Sequence, residues 1–166
     1  MKRIWLTAAK FALVDDADYE WLNQWKWCAM SVKRNFYAVR RSPRKEGKQY
    51  TILMHRLILG LINSDGKQAD HIDGNGLNNQ RRNLRIATNQ ENHFNSAKHK
   101  HSSSKFKGVS WDVKRRKWET QIMLNGKRIF LGYFQDEIEA AKAYDKAAIK
   151  YFGQFARPNL SEVEYA

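Results

Sequence analysis

The dipeptide Asn125-Gly126 stands between two stretches of alternating side chains, and it leaves the chain little choice of path there. Both residues accept positive φ, so the pair closes a two-residue hairpin whose twist matches that of its flanking strands. Strands are therefore expected over Trp118–Leu124 and Lys127–Phe134, with a third over Lys107–Val113. Alternation with a period of two sorts their faces. Ile122, Leu124, Ile129 and Leu131 share one side with Val109 and Trp111; Ser110, Asp112, Gln121, Met123, Arg128 and Phe130 share the other. A helix opens at Asp136, where Glu139 three residues on makes a capping-box pattern, and it stops at Gly153. Its apolar positions Ile138, Ala141, Tyr144, Ala148 and Tyr151/Phe152 recur at helical spacing, and the alanines allow close packing. One helix covers one face of a sheet. The face bearing Arg128, Gln121 and Phe130 is left open, and an open sheet of this width can enter the major groove of DNA.

Charge points the same way. In 166 residues, 30 Lys and Arg stand against 17 Asp and Glu, a formal charge of +13. Lys105 to Arg128 carries eight of the basic groups against only Asp112 and Glu119, interleaved with Trp111 and Trp118. A polyanion is the natural partner for such a surface. With 42% hydrophobic residues the chain can bury a core. One cysteine, Cys28, excludes an internal disulfide and a cysteine-based zinc site. No apolar run approaches the ~20 residues of a membrane span, and no signal-like stretch precedes Asp15, Asp16 and Asp18. A soluble cytoplasmic protein with no membrane partner is expected.

The polar run Ala97 to Ser104 has no apolar periodicity and reads as a linker. Before it, Asp16–Trp25 is expected as a short helix with Tyr19, Leu22 and Trp25 along one side. Trp27–Val32 and Phe36–Arg40 read as strands around a turn at Lys33-Arg34-Asn35, Pro43–Lys48 as a loop, and Tyr50–Leu61 as mostly apolar. Trp5, Trp21, Trp25 and Trp27 are expected in or beside the core. Arg34, Arg40, Arg41, Arg44 and Lys45 either line a phosphate backbone or are simply solvated.

The chemistry is concentrated in Ala69-Asp70-His71-Ile72-Asp73-Gly74-Asn75-Gly76-Leu77-Asn78-Asn79 and in Arg81 to Asn92. Asp70-His71 ends an extended segment, and the Gly- and Asn-rich loop after it is incompatible with a helix. Leu84–Ala87 can form a second strand. Thr88 with Glu91 makes another capping box, which puts Asn92 in the first turns of a helix. A calcium loop over Asp70, Asp73 and Asn75 fails, because the required oxygen spacing, the following Gly and the distant Glu do not align. No Gly-x-Ser-x-Gly occurs, so a hydrolase triad has no support.

Two resemblances sharpen these readings. Lys107-Gly108-Val109-Ser110-Trp111, Lys117-Trp118, Arg128 to Phe134 and Glu139 to Asp145 resemble the Apetala/ethylene-response-factor DNA-binding domain. In that family the sheet reads DNA, which by position implies Lys107, Ser110, Gln121, Met123, Arg128 and Phe130 as the contacting side chains. The strand-loop-strand-helix order around Asp-His-Ile-Asp-Gly, Leu-Asn-Asn and Asn-Leu-Arg, preceded by Met54-His55-Arg56-Leu57, resembles the HNH or ββα-metal endonucleases of the phage and homing branch. That resemblance implies hydrolysis of a DNA phosphodiester. His71 would be the general base, Asp70 and Asn92 the metal ligands, and Asn83 the residue that ties the loop and orients the base; Asn78 and Asn79 are rivals for that tie. Asn92 stands where the plain pattern has a histidine, and two oxygen ligands suit magnesium or manganese better than zinc or nickel. His93 ranks behind Asn92. His55 either meets a phosphate or packs; Arg40, Arg41 and Arg56 are the other expected DNA contacts of this part.

The expected architecture is α+β: a ββα-metal nuclease module, then a three-stranded antiparallel sheet packed on one helix. The boundaries fall at 1–97 for the nuclease (core motif about 54–96), 98–103 for the linker and 104–160 for the DNA-binding domain. Double-stranded DNA is the expected partner of a monomer, with no protein partner evident. A DNA-binding regulator carrying a non-catalytic HNH remnant is the rival reading.

Overall fold

The computed structural model describes residues 1–33, 35–61, 66–96 and 102–161. By its contacts the chain forms two compact units, Met1–Asn89 and Gln90–Ala166. Most of the expected linker, residues 98–101, lies outside the described residues, as does Arg34.

The first unit opens with a hairpin of β1 (Lys2–Trp5) and β2 (Phe11–Val14) that no local turn signal announces. Ala8 and Ala9 make its bend at φ 59° and 52°, a conformation usually left to Gly or Asn. Helix α1 (Asp16–Leu22) follows, shorter than the expected span to Trp25. Asp18 is buried within it, held by Arg81 Nε and Nη2, both at 2.7 Å, and by Trp21 Nε1. β3 (Cys28–Val32), β4 (Asn35–Arg41) and β5 (Thr51–Leu53) form an antiparallel sheet in that order. The apolar stretch after Tyr50 thus divides into β5 and the short helix α2 (Met54–Ile58).

Ile4, Val14, Leu22, Trp27, Ala38, Met54 and Leu84 meet in one core. Of the four tryptophans expected in or beside the core, Trp27 is buried and Trp21 packs at its edge. Trp5 and Trp25 are instead 67% and 45% exposed, which corrects the expectation for both. Trp25 lies past the end of α1, where a helical face no longer turns it inward. β6 (Gln68–His71) and β7 (Leu84–Ala87) then pair antiparallel, joined through the Gly- and Asn-rich loop and a turn of 3-10 helix at Arg81–Asn83. Helix α3 (Asn89–Phe94) comes next, with the division between the units after its first residue.

The second unit has the expected sheet. β8 (Val109–Asp112), β9 (Lys117–Leu124) and β10 (Lys127–Phe134) lie in the order β10-β9-β8, all antiparallel. Asn125 and Gly126 turn the hairpin at φ 51° and 73°. Helix α4 (Glu137–Phe152) packs on one face, with Asp136 Oδ1 accepting from the Ile138 and Glu139 backbone N–H groups and Gly153 at its end. Ala140, Ala141, Ala147 and Ala148 are buried along it, so helix and sheet approach closely, and Thr120 Oγ1 donates to the Ala140 carbonyl across the gap. Asp145 is fully buried and accepts from the Asn159 and Leu160 backbone N–H groups, which straps that segment to α4.

Candidate functional site

In the first unit the loop between β6 and β7 is built around asparagines. Asn83 Nδ2 donates to Asp73 Oδ1 at 2.9 Å and to the Asn78 carbonyl at 2.8 Å, while its Oδ1 accepts from the Asp73 N–H at 3.0 Å. Asp73 also accepts from Asn75 N–H and Asn78 Nδ2. Burial pushes the Asp73 carboxyl up, but bonds from Asn78, Asn75 and Asn83 outweigh it and hold the pKa below the usual carboxylate range. Asn35, remote in sequence, closes the other side, donating to the Gly74 carbonyl and accepting from Gly76 N–H. Gly76 has no alternative: a Cβ there would lie 2.5 Å from the Phe36 carbonyl and 2.6 Å from the Tyr37 ring.

This frame presents the end of β6. His71 is 5% exposed and Asp70 6%. The cross-strand register sets Asp70 opposite Arg85, whose Nε and Nη2 reach Asp70 Oδ2 at 2.8 and 2.7 Å. The His71 ring lies 4.9 Å from that of His55 on α2 and 5.9 Å from that of Tyr37 on β4. Burial lowers the His71 pKa from its ordinary value, and this outweighs the opposing pull of Asn79, Asp73 and Asp70, so the imidazole is neutral at neutral pH. Asn79 is wholly buried beside it, whereas Asn78 and Asn83 bind the loop.

His55 is equally enclosed, and burial first, then the charges of His71 and Arg56, bring its pKa down to about 3. It is therefore a packed neutral ring, with the Tyr37 ring 5.6 Å away. A stability prediction follows. In the unfolded chain this imidazole protonates near its ordinary value of about 6.5, and in the folded chain only near pH 3. Between these values the unfolded chain binds the extra proton, so stability is complete above the upper one and falls as pH falls, by up to about 1.4 kcal/mol per unit. Urea unfolding between about pH 7 and pH 4 should show this slope, reduced in His55→Phe. Equal slopes in the two proteins would remove His55 from the account.

Asp70, His71, Asn83 and His55 are thus brought together. Asn92 is half-buried on α3 in the second unit, and its standing as a metal ligand rests on its place in the motif. Of the expected DNA-contacting arginines, Arg40 stacks over Trp25 at 4.2 Å, Arg41 is exposed with Nη1 on Thr51 Oγ1, and Arg56 Nη1 donates to the Lys67 carbonyl. Among the described residues no three His, Cys, Asp or Glu side chains cluster as a metal cage. Asp70 brings one carboxylate to the end of β6, and hard divalent ions accept carboxylate and amide oxygens, with water and phosphate completing the shell.

On the open face of the second unit, register pairs Arg128 with Met123 and Phe130 with Gln121, and Ser110 lies across from Glu119 on the same side. Met123 and Phe130 are 52% and 53% exposed and Arg128 is exposed, while Ser110 and Gln121 are half-buried. The bulge between Phe130 and Gly132 shifts the alternation, so Tyr133 joins this face, its ring 4.9 Å from Phe130 with Arg115 over it. Lys107 is used otherwise: its Nζ donates to the Phe94 and Ser96 carbonyls at 2.6 and 2.8 Å. Burial, with the Arg157 charge, brings its pKa down to about 8. The unit also holds a cleft of about 660 Å³ lined by Gln90, His93, Lys107, Gln121, Arg128 and Tyr144, which includes none of the His71 cluster. Asn35, Tyr37, Arg85 and Tyr133 are the neighbours that local patterns do not reveal.

A buried Asp-His pair at a strand end, a loop fixed by asparagine and a second antiparallel strand make up the candidate site of the first unit, and the second unit presents an open sheet face bearing Met123, Arg128, Phe130 and Tyr133. The chain matches the HNH endonuclease family over residues 52–94 and the AP2 domain over 104–154. It is 39% identical over 111 residues to the uncharacterized HNH endonuclease L560 of Acanthamoeba polyphaga mimivirus, covering 64% of this chain and 56% of that protein. It is 36% identical over 92 residues to Protein 3.8 of Escherichia phage T7, covering 55% of this chain and 75% of that protein. APETALA2-like protein 2 of Oryza sativa subsp. indica is 45% identical over 65 residues, 38% of this chain and 15% of its own length. The chain thus carries an HNH endonuclease match followed by an AP2 domain match. No helix among the described residues is long and apolar enough to cross a membrane.

Proposed function

We propose that the protein is a metal-dependent DNA endonuclease that hydrolyses phosphodiester bonds at sites chosen by its AP2-like sheet, working as a monomer inside a phage-infected or element-bearing cell. The observation that carries this reading is the neutral, enclosed His71 beside Asp70, on a loop that Asn83 fixes with three hydrogen bonds. His71 takes the proton of a water as the water oxygen bonds to phosphorus, and the bond from phosphorus to the 3′ oxygen breaks. Asn83 keeps the loop, and with it the imidazole, in one place. Asp70 and Asn92 would hold magnesium or manganese, which when bound supplies charge stabilisation to the phosphate and the leaving oxygen. Arg85 holds the Asp70 carboxylate in place through its Nε and Nη2.

The open sheet supplies base contacts through Arg128, Gln121, Met123, Phe130 and Ser110, and basic side chains such as Arg41 add salt-dependent affinity. Arg128→Ala is expected to weaken binding to a preferred duplex by about 1–3 kcal/mol, the range for one base-reading side chain. Fluorescence anisotropy with a selected duplex checks this, and unchanged affinity would take Arg128 out of the interface. The closed ion pair of Asp70 with Arg85 favours the second reading, a DNA-binding regulator whose HNH module no longer cuts. Relaxation of supercoiled plasmid with magnesium, with manganese and with chelator decides between them. Metal-dependent nicking supports the nuclease, whereas tight salt-sensitive binding without cleavage of plasmid or of a randomised target library supports the regulator.

A further inference from the structure

Helix α3 is only six residues long, too short to persist in water by itself. The nuclease family match runs to residue 94, yet from Gln90 onward the chain belongs by its contacts to the second unit. Three contacts there hold the end of the helix. The Phe94 ring stacks on Phe152 of α4, with centroids 3.8 Å apart and planes 10° from parallel. Lys107 Nζ donates to the carbonyls of Phe94 and Ser96 at 2.6 and 2.8 Å. Arg157 Nη1 donates to the Asn95 carbonyl at 3.3 Å. Carbonyls at a helix C-terminus lack intrahelical donors, and a cation beside them meets the negative end of the helix. Lys107 stands at the start of the AP2 domain, so a residue of the DNA-binding unit closes the last turn of a nuclease element.

We propose that Lys107 is a positioning residue of the nuclease reaction: by closing the turn at Phe94–Ser96 it fixes the helix that carries Asn92. This rests on the nuclease reading, with Asn92 as a metal ligand. The AP2-like unit then does more than bring the chain to DNA, because it also orders an element of the cutting site.

The test compares the full-length wild type with Lys107→Met, which keeps the stem and loses the charge, and with Lys107→Arg. Phe94→Ala is a second variant that loosens the same helix without touching a cation. Amide hydrogen exchange, duplex affinity in chelator and the metal concentration for half-maximal plasmid nicking are read for each. In Lys107→Met and Phe94→Ala, exchange over residues 92–96 is expected to rise about ten-fold or more while the amides of β9 and β10 stay protected. The metal requirement should rise about 10-fold, as when a supporting partner of a metal ligand is lost. Duplex affinity in chelator should stay within about two-fold, and Lys107→Arg should recover part of both effects. Lower duplex affinity with unchanged exchange and metal requirement overturns the proposal, because Lys107 would then be a DNA contact. A wild type that cuts no DNA with any metal overturns the nuclease reading and the positioning role with it. Wild-type cutting with unchanged exchange in Lys107→Met overturns the clamp alone.

Discussion

Replacing His71 with alanine is expected to lower DNA cleavage by about 10²–10⁴-fold, the usual loss with a general base, while duplex binding changes by no more than about two-fold. Binding should persist because the face proposed to read bases belongs to another unit, with its own sheet and helix. Cleavage should fall because His71 is the imidazole that stands beside the Asp70 carboxylate at the end of β6, and burial keeps it in the form that accepts a proton. Its neighbours set a condition on the experiment. The rings of His55 and Tyr37 pack against it, so alanine opens a cavity that costs roughly 2–4 kcal/mol of stability. His71→Gln fills most of that space and cannot take up a proton at neutral pH. Single-turnover nicking of plasmid, anisotropy on a duplex and thermal unfolding together separate the causes. A glutamine variant that folds, binds and still cuts at the wild-type rate would remove His71 as the base.

Gly108→Ala is expected to destabilise the second unit by about 2–5 kcal/mol, the sum of a left-handed backbone (about 1–2 kcal/mol) and an overpacked contact (about 1–3 kcal/mol). Gly108 has φ +77°, and a Cβ there would lie 2.1 Å from Tyr144 Cδ2 and 2.7 Å from the Gln121 carbonyl. Neither neighbour has room to retreat. Tyr144 is buried under the sheet with Ile122 and Ala148, and Gln121 N–H donates to the Gly108 carbonyl at 2.9 Å. Against a domain stability of about 5–15 kcal/mol, this change alone can unfold much of the population at 37 °C. Calorimetry or exchange protection of β9 and β10 measures it. A melting temperature within about 2 °C of wild type would show that Tyr144 does not close on the backbone as described.

The second unit was the more legible of the two because its signals are local. Asn125-Gly126, the Asp136–Glu139 spacing and Gly153 each name a turn or a helix end from residues at most three apart, and the observed elements follow them. Tyr133 escaped because strict alternation puts it opposite Phe130 until the bulge at Gly132 resets the count. The first hairpin escaped for a different reason: alanines at positions 8 and 9 adopt a conformation their composition does not advertise. At the candidate site, the strand-loop-strand-helix order and its resemblance to the HNH motif marked out Asp70, His71 and Asn83. Their partners could not be read this way. Asn35 meets Gly74 across 39 residues of sequence, and Tyr37 and His55 reach His71 only once β4 and α2 have packed. Arg85 becomes visible as the partner of Asp70 only when β6 and β7 are placed in register.

The position of the division inside α3 has a consequence for recombination. A crossover in the polar run near residue 98, the natural place to exchange one recognition module for another, leaves α3 behind with the nuclease half and removes Phe152, Lys107 and Arg157 from around it. Such a hybrid inherits an unsupported helix, whereas a join ahead of Gln90 transfers the helix together with its supports. Chimaeras built at the two points should differ accordingly, and lineages that trade these modules successfully are expected to carry the Phe94, Lys107 and Phe152 trio as one heritable block.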